Sequence, residues 1–154
     1  MRNKWFLIPL INFVLVIVIF NFVIYLGYVP TNSMEPTIMA GEKIFGSRII
    51  GKLEVGDVVI FEYESRYLVK RIAAVCGEEI QGGGIVPDNC YYVLGDNSED
   101  SYDSRYWKNQ FIHRDQIIAR VFTMKRPSVE LKNYRRPLFV LSRCGKNDYI
   151  IKHS

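Results

Sequence analysis

The chain has 154 residues, 49% of them hydrophobic and 14% aromatic, with a formal net charge of +4. That content excludes disorder as the main state and suits one compact domain rather than two. The charged fraction is an ordinary 23%, and the apolar excess is gathered at the N-terminus.

From Trp5 to Tyr28 the sequence runs WFLIPLINFVLVIVIFNFVIYLGY, with no ionisable group except tyrosine and with Asn12 and Asn21 as its strongly polar interruptions. About 22 such residues at 1.5 Å each span roughly 33 Å, enough for a hydrocarbon core of about 30 Å. The expected element is a transmembrane helix. Arg2 and Lys4 precede it without an acid, which directs the N-terminus to the cytoplasm and residues 29–154 to the far side. A cleaved secretory signal would have a shorter apolar core and a small-residue cleavage site, whereas this run passes straight into Gly27-Tyr28-Val29-Pro30.

Beyond the anchor come the runs GDVVIFEY, YLVKRIAAV, CYYVLGD, QIIARVFTM, RPLFVLS and DYIIKH. Each is rich in Val, Ile, Tyr or Phe and is bounded by Gly, Asp, Asn or Pro, the pattern of strands separated by turns. A mainly β, antiparallel extracytoplasmic domain is expected, with short helical turns only around Met34 to Ala40 or Tyr106 to Asn109. QGGG at Gln81 to Gly84 reads as a hairpin tip. The tail from Lys125 to Ser154 carries eight Lys or Arg against Glu130 and Asp148. It reads as a solvated surface that could also meet anionic lipid. It does not read as a nucleic-acid strip, because its basic residues do not alternate with stacking aromatics.

Cys76 and Cys90 flank the hairpin. Either a disulfide crosses its base, leaving Cys144 free, or all three cysteines are buried thiols. His113 and His153 are isolated, and there is no CxxC or clustered-carboxylate pattern, so no metal site is expected.

Chemistry must then come from hydroxyls, and a serine becomes a nucleophile only when a base takes its proton. Period-2 alternation through Leu68 to Val75 places Leu68, Lys70, Ile72 and Ala74 on one face, with Lys70 the single charge in an apolar row. Burial there would lower the amine pKa and leave a neutral base. The plainer alternative is a lysine on a solvent face or one that snorkels out of an apolar patch. Spacing alone does not bring it to a serine.

Ser33-Met34-Glu35-Pro36-Thr37, then Gly41-Glu42, Gly56-Asp57-Val58-Val59 with Phe61, YLVKRI from Tyr67 to Ile72 and GDNSEDSYDSRYW from Gly95 to Trp107 resemble, in order and content, the successive boxes of bacterial type I signal peptidases. The resemblance runs from the anchor to about Val121. It implies a β-sheet or β-barrel-like catalytic domain of that type, with Ser33 as nucleophile and Lys70 as general base. It further implies Ser101 as the hydroxyl that orients the lysine, and Thr31 with the Ser33 N–H as the oxyanion hole. Asp103 and Arg105 are implied as a supporting ion pair, joined by Arg71.

The implied activity is removal of signal peptides from exported preproteins by a monomeric, membrane-anchored serine endopeptidase without cofactor or metal. A dedicated maturation peptidase of the same superfamily and a non-catalytic anchored β-domain are the alternatives. The chain departs from the family pattern at Val75-Cys76-Gly77-Glu78, where many relatives carry Leu-Pro-Gly-Asp. The interval between Lys70 and Gly95 leaves no room for a large inserted cap, which resembles the short Gram-positive form.

Overall fold

The computed structural model describes residues 7–80 and 82–122. The strands expected at RPLFVLS and DYIIKH, the basic tail, Cys144 and His153 lie outside the described residues.

Leu7–Val18 form an α-helix (α1), and Ile19–Val23 continue it as a π-helical turn. Its large apolar side chains, from Leu7 to Phe22, are all exposed. The polar amide of Asn21 is satisfied within the helix, its Nδ2 donating to the Ile17 carbonyl at 2.8 Å. No helix among the described residues is long and apolar enough to cross a membrane.

The helix expected to reach Tyr28 stops at Val23. Ile24–Tyr28 form a strand instead (β1), paired antiparallel with Lys43–Ser47 (β2) from Ile24 opposite Ser47 to Tyr28 opposite Lys43. The reason is tertiary. Tyr25 and Ile44 face inward onto a core cluster, and β2 supplies the backbone partners that a continued helix would have found within itself.

The remaining strands are Val58–Tyr63 (β3), Arg66–Val75 (β4), Cys90–Leu94 (β5), Ile112–His113 (β6) and Ile117–Val121 (β7). They build one sheet in the order β1-β2-β7-β3-β4-β5-β6, and every neighbouring pair is antiparallel. β1 and β6 stand at opposite edges, so among the described residues the sheet is open and the barrel-like closure implied by resemblance is not formed. The β3–β4 hairpin turns on Glu64 and Ser65, both at positive φ (49° and 62°). Two such residues give the turn twist that suits antiparallel strands.

Alternation sorts the sheet into two buried faces. Val59, Phe61 and Tyr63 pack with Leu53, Ile72, Val93, Trp107, Ile112 and Ile117. The Tyr63 and Trp107 rings stack at 4.1 Å between centroids. Val58 and Ile60 pack on the other side with Val29, Met34, Ile38, Ile44, Ala119 and Val121. Burying a side chain of this size contributes about 1.5–3 kcal/mol. A register shift between Ile72 and Ala74 ends the simple alternation of β4, and Ala74 packs with Ala73, Ile80, Val86 and Tyr92 rather than in the row of Leu68 and Ile72.

Cys90 is a free thiol while Cys76 is disulfide-bonded, so the bridge considered between Cys76 and Cys90 is not made. The hairpin between them does form, closed by an isolated bridge between Glu79 and Ile85.

Candidate active site

Between β1 and β2 the chain makes a loop whose base is pinned by two backbone hydrogen bonds. The Val29 N–H donates to Glu42 at 3.0 Å and the Gly41 N–H to Val29 at 2.7 Å. Inside it the N–H groups of Thr37 and Ile38 both donate to the Met34 carbonyl, at 2.9 and 3.0 Å, forming the short turn expected there. Met34 is fully buried and Ile38 nearly so. These two side chains anchor the turn to the core, and Ser33, at 8% exposure, is held where the anchored turn begins.

Lys70 lies on β4 opposite Val59 of β3, so it shares a face with the Trp107 cluster. Its Nζ is 2.7 Å from Ser33 Oγ and 3.0 Å from Ser101 Oγ. The residue is 3% exposed, and among the described residues it forms no ion pair. Its pKa is lowered from 10.5 to about 8, chiefly by burial with help from the Arg105 cation, against the opposing pull of the Asp103, Asp96 and Asp100 carboxylates.

The direction of each hydrogen bond follows from the proton count. Ser101 donates its single proton to Asp103 Oδ2 at 2.7 Å, so toward Lys70 it can only accept. A neutral amine that gives one N–H to Ser101 has its lone pair available for the Ser33 proton.

Asp103 is fully buried. Burial by itself would raise its carboxyl pKa, but bonds from Arg105, the Gly95 N–H and Ser101 outweigh it and hold the group below the ordinary carboxylate value. Arg105 binds with both Nε and Nη2, each at 2.9 Å. The Ser104 side chain and backbone bond to Val93 at 3.1 and 3.2 Å, which fixes this loop to β5.

Gly95 closes the arrangement. A Cβ there would lie 2.2 Å from Ser101 Oγ and 2.5 Å from the Ser33 carbonyl oxygen, so only glycine lets the loop approach both segments. No local signal in GDNSEDSYDSRYW marks this close approach, which depends on a loop distant in sequence. The Asn97 N–H donates to the Ser33 carbonyl at 3.1 Å, fixing the peptide that carries the serine.

Arg71, next on β4, faces the opposite side. It does not join the Asp103–Arg105 pair; its guanidinium grips Asp96 through two nitrogens. It also donates to the Gly56 carbonyl at 2.7 Å and to Thr37 Oγ1 at 3.2 Å. Thr31 Oγ1 lies 3.4 Å from Ser33 Oγ, and the Ser33 backbone N–H makes no hydrogen bond among the described residues. His113 caps the short helical turn Arg114–Gln116 and takes no part. Among the described residues no group of His, Cys, Asp and Glu could hold a metal ion.

The arrangement can therefore do acyl transfer: a buried hydroxyl, a desolvated amine within bonding distance, a second hydroxyl that orients the amine, and a nearby N–H and hydroxyl for an oxyanion. The family described as "Signal peptidase, peptidase S26" matches residues 2–84 and 79–125. A probable signal peptidase I-2 from Synechocystis is 30% identical, over 71% of this chain and 66% of that protein. Signal peptidase I S of Bacillus subtilis is 27% identical over 66% of this chain and 77% of its own. Signal peptidase IB of Staphylococcus aureus is 25% identical over 87% of this chain and 94% of its own. A buried Ser33–Lys70 contact on an antiparallel sheet and a family match over most of the sequence lead to one placement: the chain belongs to the signal peptidase family, peptidase S26.

Proposed function

We propose that this chain is a serine endopeptidase that removes signal peptides from exported preproteins, with Ser33 as nucleophile and Lys70 as general base. The observation that carries the reading is a buried amine whose hydrogen-bond partners among the described residues are two hydroxyls, at 2.7 and 3.0 Å, and no carboxylate. Lys70 Nζ takes the Ser33 proton as Oγ attacks the scissile carbonyl carbon, giving a tetrahedral oxyanion. The Ser33 N–H and Thr31 Oγ1 donate to that oxyanion; a donor so placed lowers the barrier by about 2.7–4 kcal/mol. The Lys70 ammonium returns the proton to the leaving amine as the C–N bond breaks, leaving an ester on Ser33. Lys70 then deprotonates a water that hydrolyses the ester and frees the serine. Ser101 keeps the amine aimed throughout, and Asp103 with Arg105 keeps Ser101 aimed.

The same reading anchors the chain in the cell membrane by its apolar N-terminal segment, ending at Val23, with its N-terminus cytoplasmic and the sheet outside. The exposure of every large apolar side chain from Leu7 to Phe22 supports it, since such a surface is stable in lipid and costly in water. The anchor leads directly into edge strand β1, which keeps Ser33 close to the bilayer, where bonds just beyond a substrate's apolar segment emerge. The enzyme acts as a monomer.

The test is incubation of the full-length protein in detergent with a preprotein. Wild type releases mature product, whereas Ser33→Ala and Lys70→Arg do not, because a guanidinium keeps its proton at neutral pH. Processing by both variants at the wild-type rate contradicts the proposal.

A further inference from the structure

One polar contact at the rim of the site is explained neither by the sheet nor by the dyad. Asn32 Nδ2 donates to Asp100 Oδ2 at 2.6 Å, across 68 residues of sequence. Asn32 immediately precedes Ser33, and Asp100 immediately precedes Ser101. The two hydroxyls that bracket Lys70 Nζ are thus each one residue from an end of this bond. The Asn97 amide, donating to the Asn32 carbonyl at 3.3 Å, and the Asp100 N–H, donating to Asn97 at 3.3 Å, complete a small ring of contacts between the two loops.

We propose that Asn32 and Asp100 are positioning residues: their side-chain bond latches the serine loop to the Gly95–Arg105 loop and so sets the spacing of Ser33 Oγ and Ser101 Oγ around the Lys70 amine. The inference rests on the dyad reading above.

The physical case is one of leverage. Both partners are solvent-exposed, so the bond stabilises the fold little. Its acceptor is ionised, which makes it stronger and shorter than a neutral pair. The two loops otherwise meet through the backbone and side-chain amides of Asn97 and through the bare Cα of Gly95. These leave the loops free to hinge about that line, and the Asn32–Asp100 bond closes the open side. Without it the hydroxyls separate, and the amine follows one and loses the other.

Asp100 also brings a charge. The carboxylates around the amine are Asp103, Asp96 and Asp100, and the nearby cation is Arg105. Arg71, from the adjacent position of β4, neutralises Asp96 on the opposite face. Asp103 is likewise paired, with Arg105. Among the described residues Asp100 has only an amide partner and no bound counter-cation, so its charge acts on Lys70 and favours the ammonium. Position and charge can therefore be separated by substitution.

The experiment measures kcat and KM against pH for the full-length protein with a preprotein. Asn32→Ala removes the bond and no charge: kcat falls about tenfold at every pH, as a small misplacement of reacting groups does. KM stays within about twofold and the acid limb does not move, since the remote binding of substrate and the charges are untouched. Asp100→Asn keeps an acceptor oxygen and removes the charge: kcat falls no more than about threefold, and the acid limb moves to lower pH. The exchange Asn32→Asp with Asp100→Asn re-forms the bond with donor and acceptor swapped and recovers kcat to within about threefold of wild type.

Wild-type kcat in Asn32→Ala overturns the latch. So does an exchange variant that melts like wild type and is no faster than Asn32→Ala. If the exchange variant does not fold, Asp100→Asn decides: a kcat as low as that of Asn32→Ala overturns the proposal. Ser33→Ala, run alongside, separates the two readings. If it is inactive while Asn32→Ala is unimpaired, the latch alone falls; if it is active, the dyad falls first.

Discussion

Lys70 and Arg71 are consecutive residues of β4 and are buried to nearly the same depth, 3% and 1% exposed, yet the two faces of the sheet treat their charges in opposite ways. Arg71 meets the carboxylate of Asp96 through two nitrogens and spends a third on the Gly56 carbonyl. Lys70 meets two hydroxyls, and the buried acid that acts on it most strongly, Asp103, is already held by Arg105. One cation is stabilised as a cation. The other has no ion-pair partner among the described residues, and burial favours its neutral form over the pull of the surrounding carboxylates. A buried charge with its counter-ion reads as architecture, and a buried charge kept from one reads as chemistry.

The largest effect that could break this contrast is on activity. Lys70→Met should lower kcat by about 10³-fold or more, as removal of a proton acceptor from a serine nucleophile does. Arg71→Met should instead act on the fold. It leaves Asp96 buried without its cation and should lower the unfolding free energy by about 3–5 kcal/mol, read by urea titration. Equal losses of stability from Lys70→Met and Arg71→Met would erase the distinction.

The pH dependence sharpens the contrast. Below about pH 8 the folded and unfolded states both carry the Lys70 proton, and the fold bears the full cost of a desolvated ammonium. Between about 8 and 10.5 the folded state has released its proton while the unfolded state still holds it, so stability rises with pH. Wild type should gain on the order of 2–3 kcal/mol relative to Lys70→Met between pH 7 and pH 10. Urea midpoints of both proteins at the two pH values check this; a gap that does not change with pH contradicts it.

A smaller effect comes from Gly95. Gly95→Ala places a methyl 2.2 Å from Ser101 Oγ, and the loop must retreat from Ser33. A drop in kcat of about 10²-fold with KM little altered is expected from that displacement. Unaltered kcat would show that the loop accommodates the methyl without moving either hydroxyl.

Much of the molecule was legible in the sequence because the signals were local. Strands β3, β4, β5 and β7 follow from alternating β-branched and aromatic runs, and Lys70 stood out as a charge in an apolar row. The meeting of Ser33, Lys70 and Ser101, across 37 and 31 residues, was given by resemblance and not by spacing. What the sequence hid was non-local. Ile24–Tyr28 is as apolar as the helix before it, and only pairing with Lys43–Ser47 turns it into a strand. The choice of Asp96 over Asp103 by Arg71 depends on which face each loop reaches. The register shift after Ile72 leaves no mark on the alternation, so Ala74 was placed one face wrong. The free thiol of Cys90 could not be told from a bridged one by its position beside a hairpin.

The central claim is that the Lys70 amine sheds its proton near neutral pH. The direct measurement is a pH titration of the lysine ¹⁵Nζ resonances in Ser33→Ala, which preserves the pocket and halts turnover, with Lys70 assigned by its absence in the corresponding Lys70→Arg protein. The account predicts that the Lys70 resonance titrates near pH 8, well below the ordinary lysine value of 10.5. A Lys70 resonance that titrates near 10.5 would contradict it.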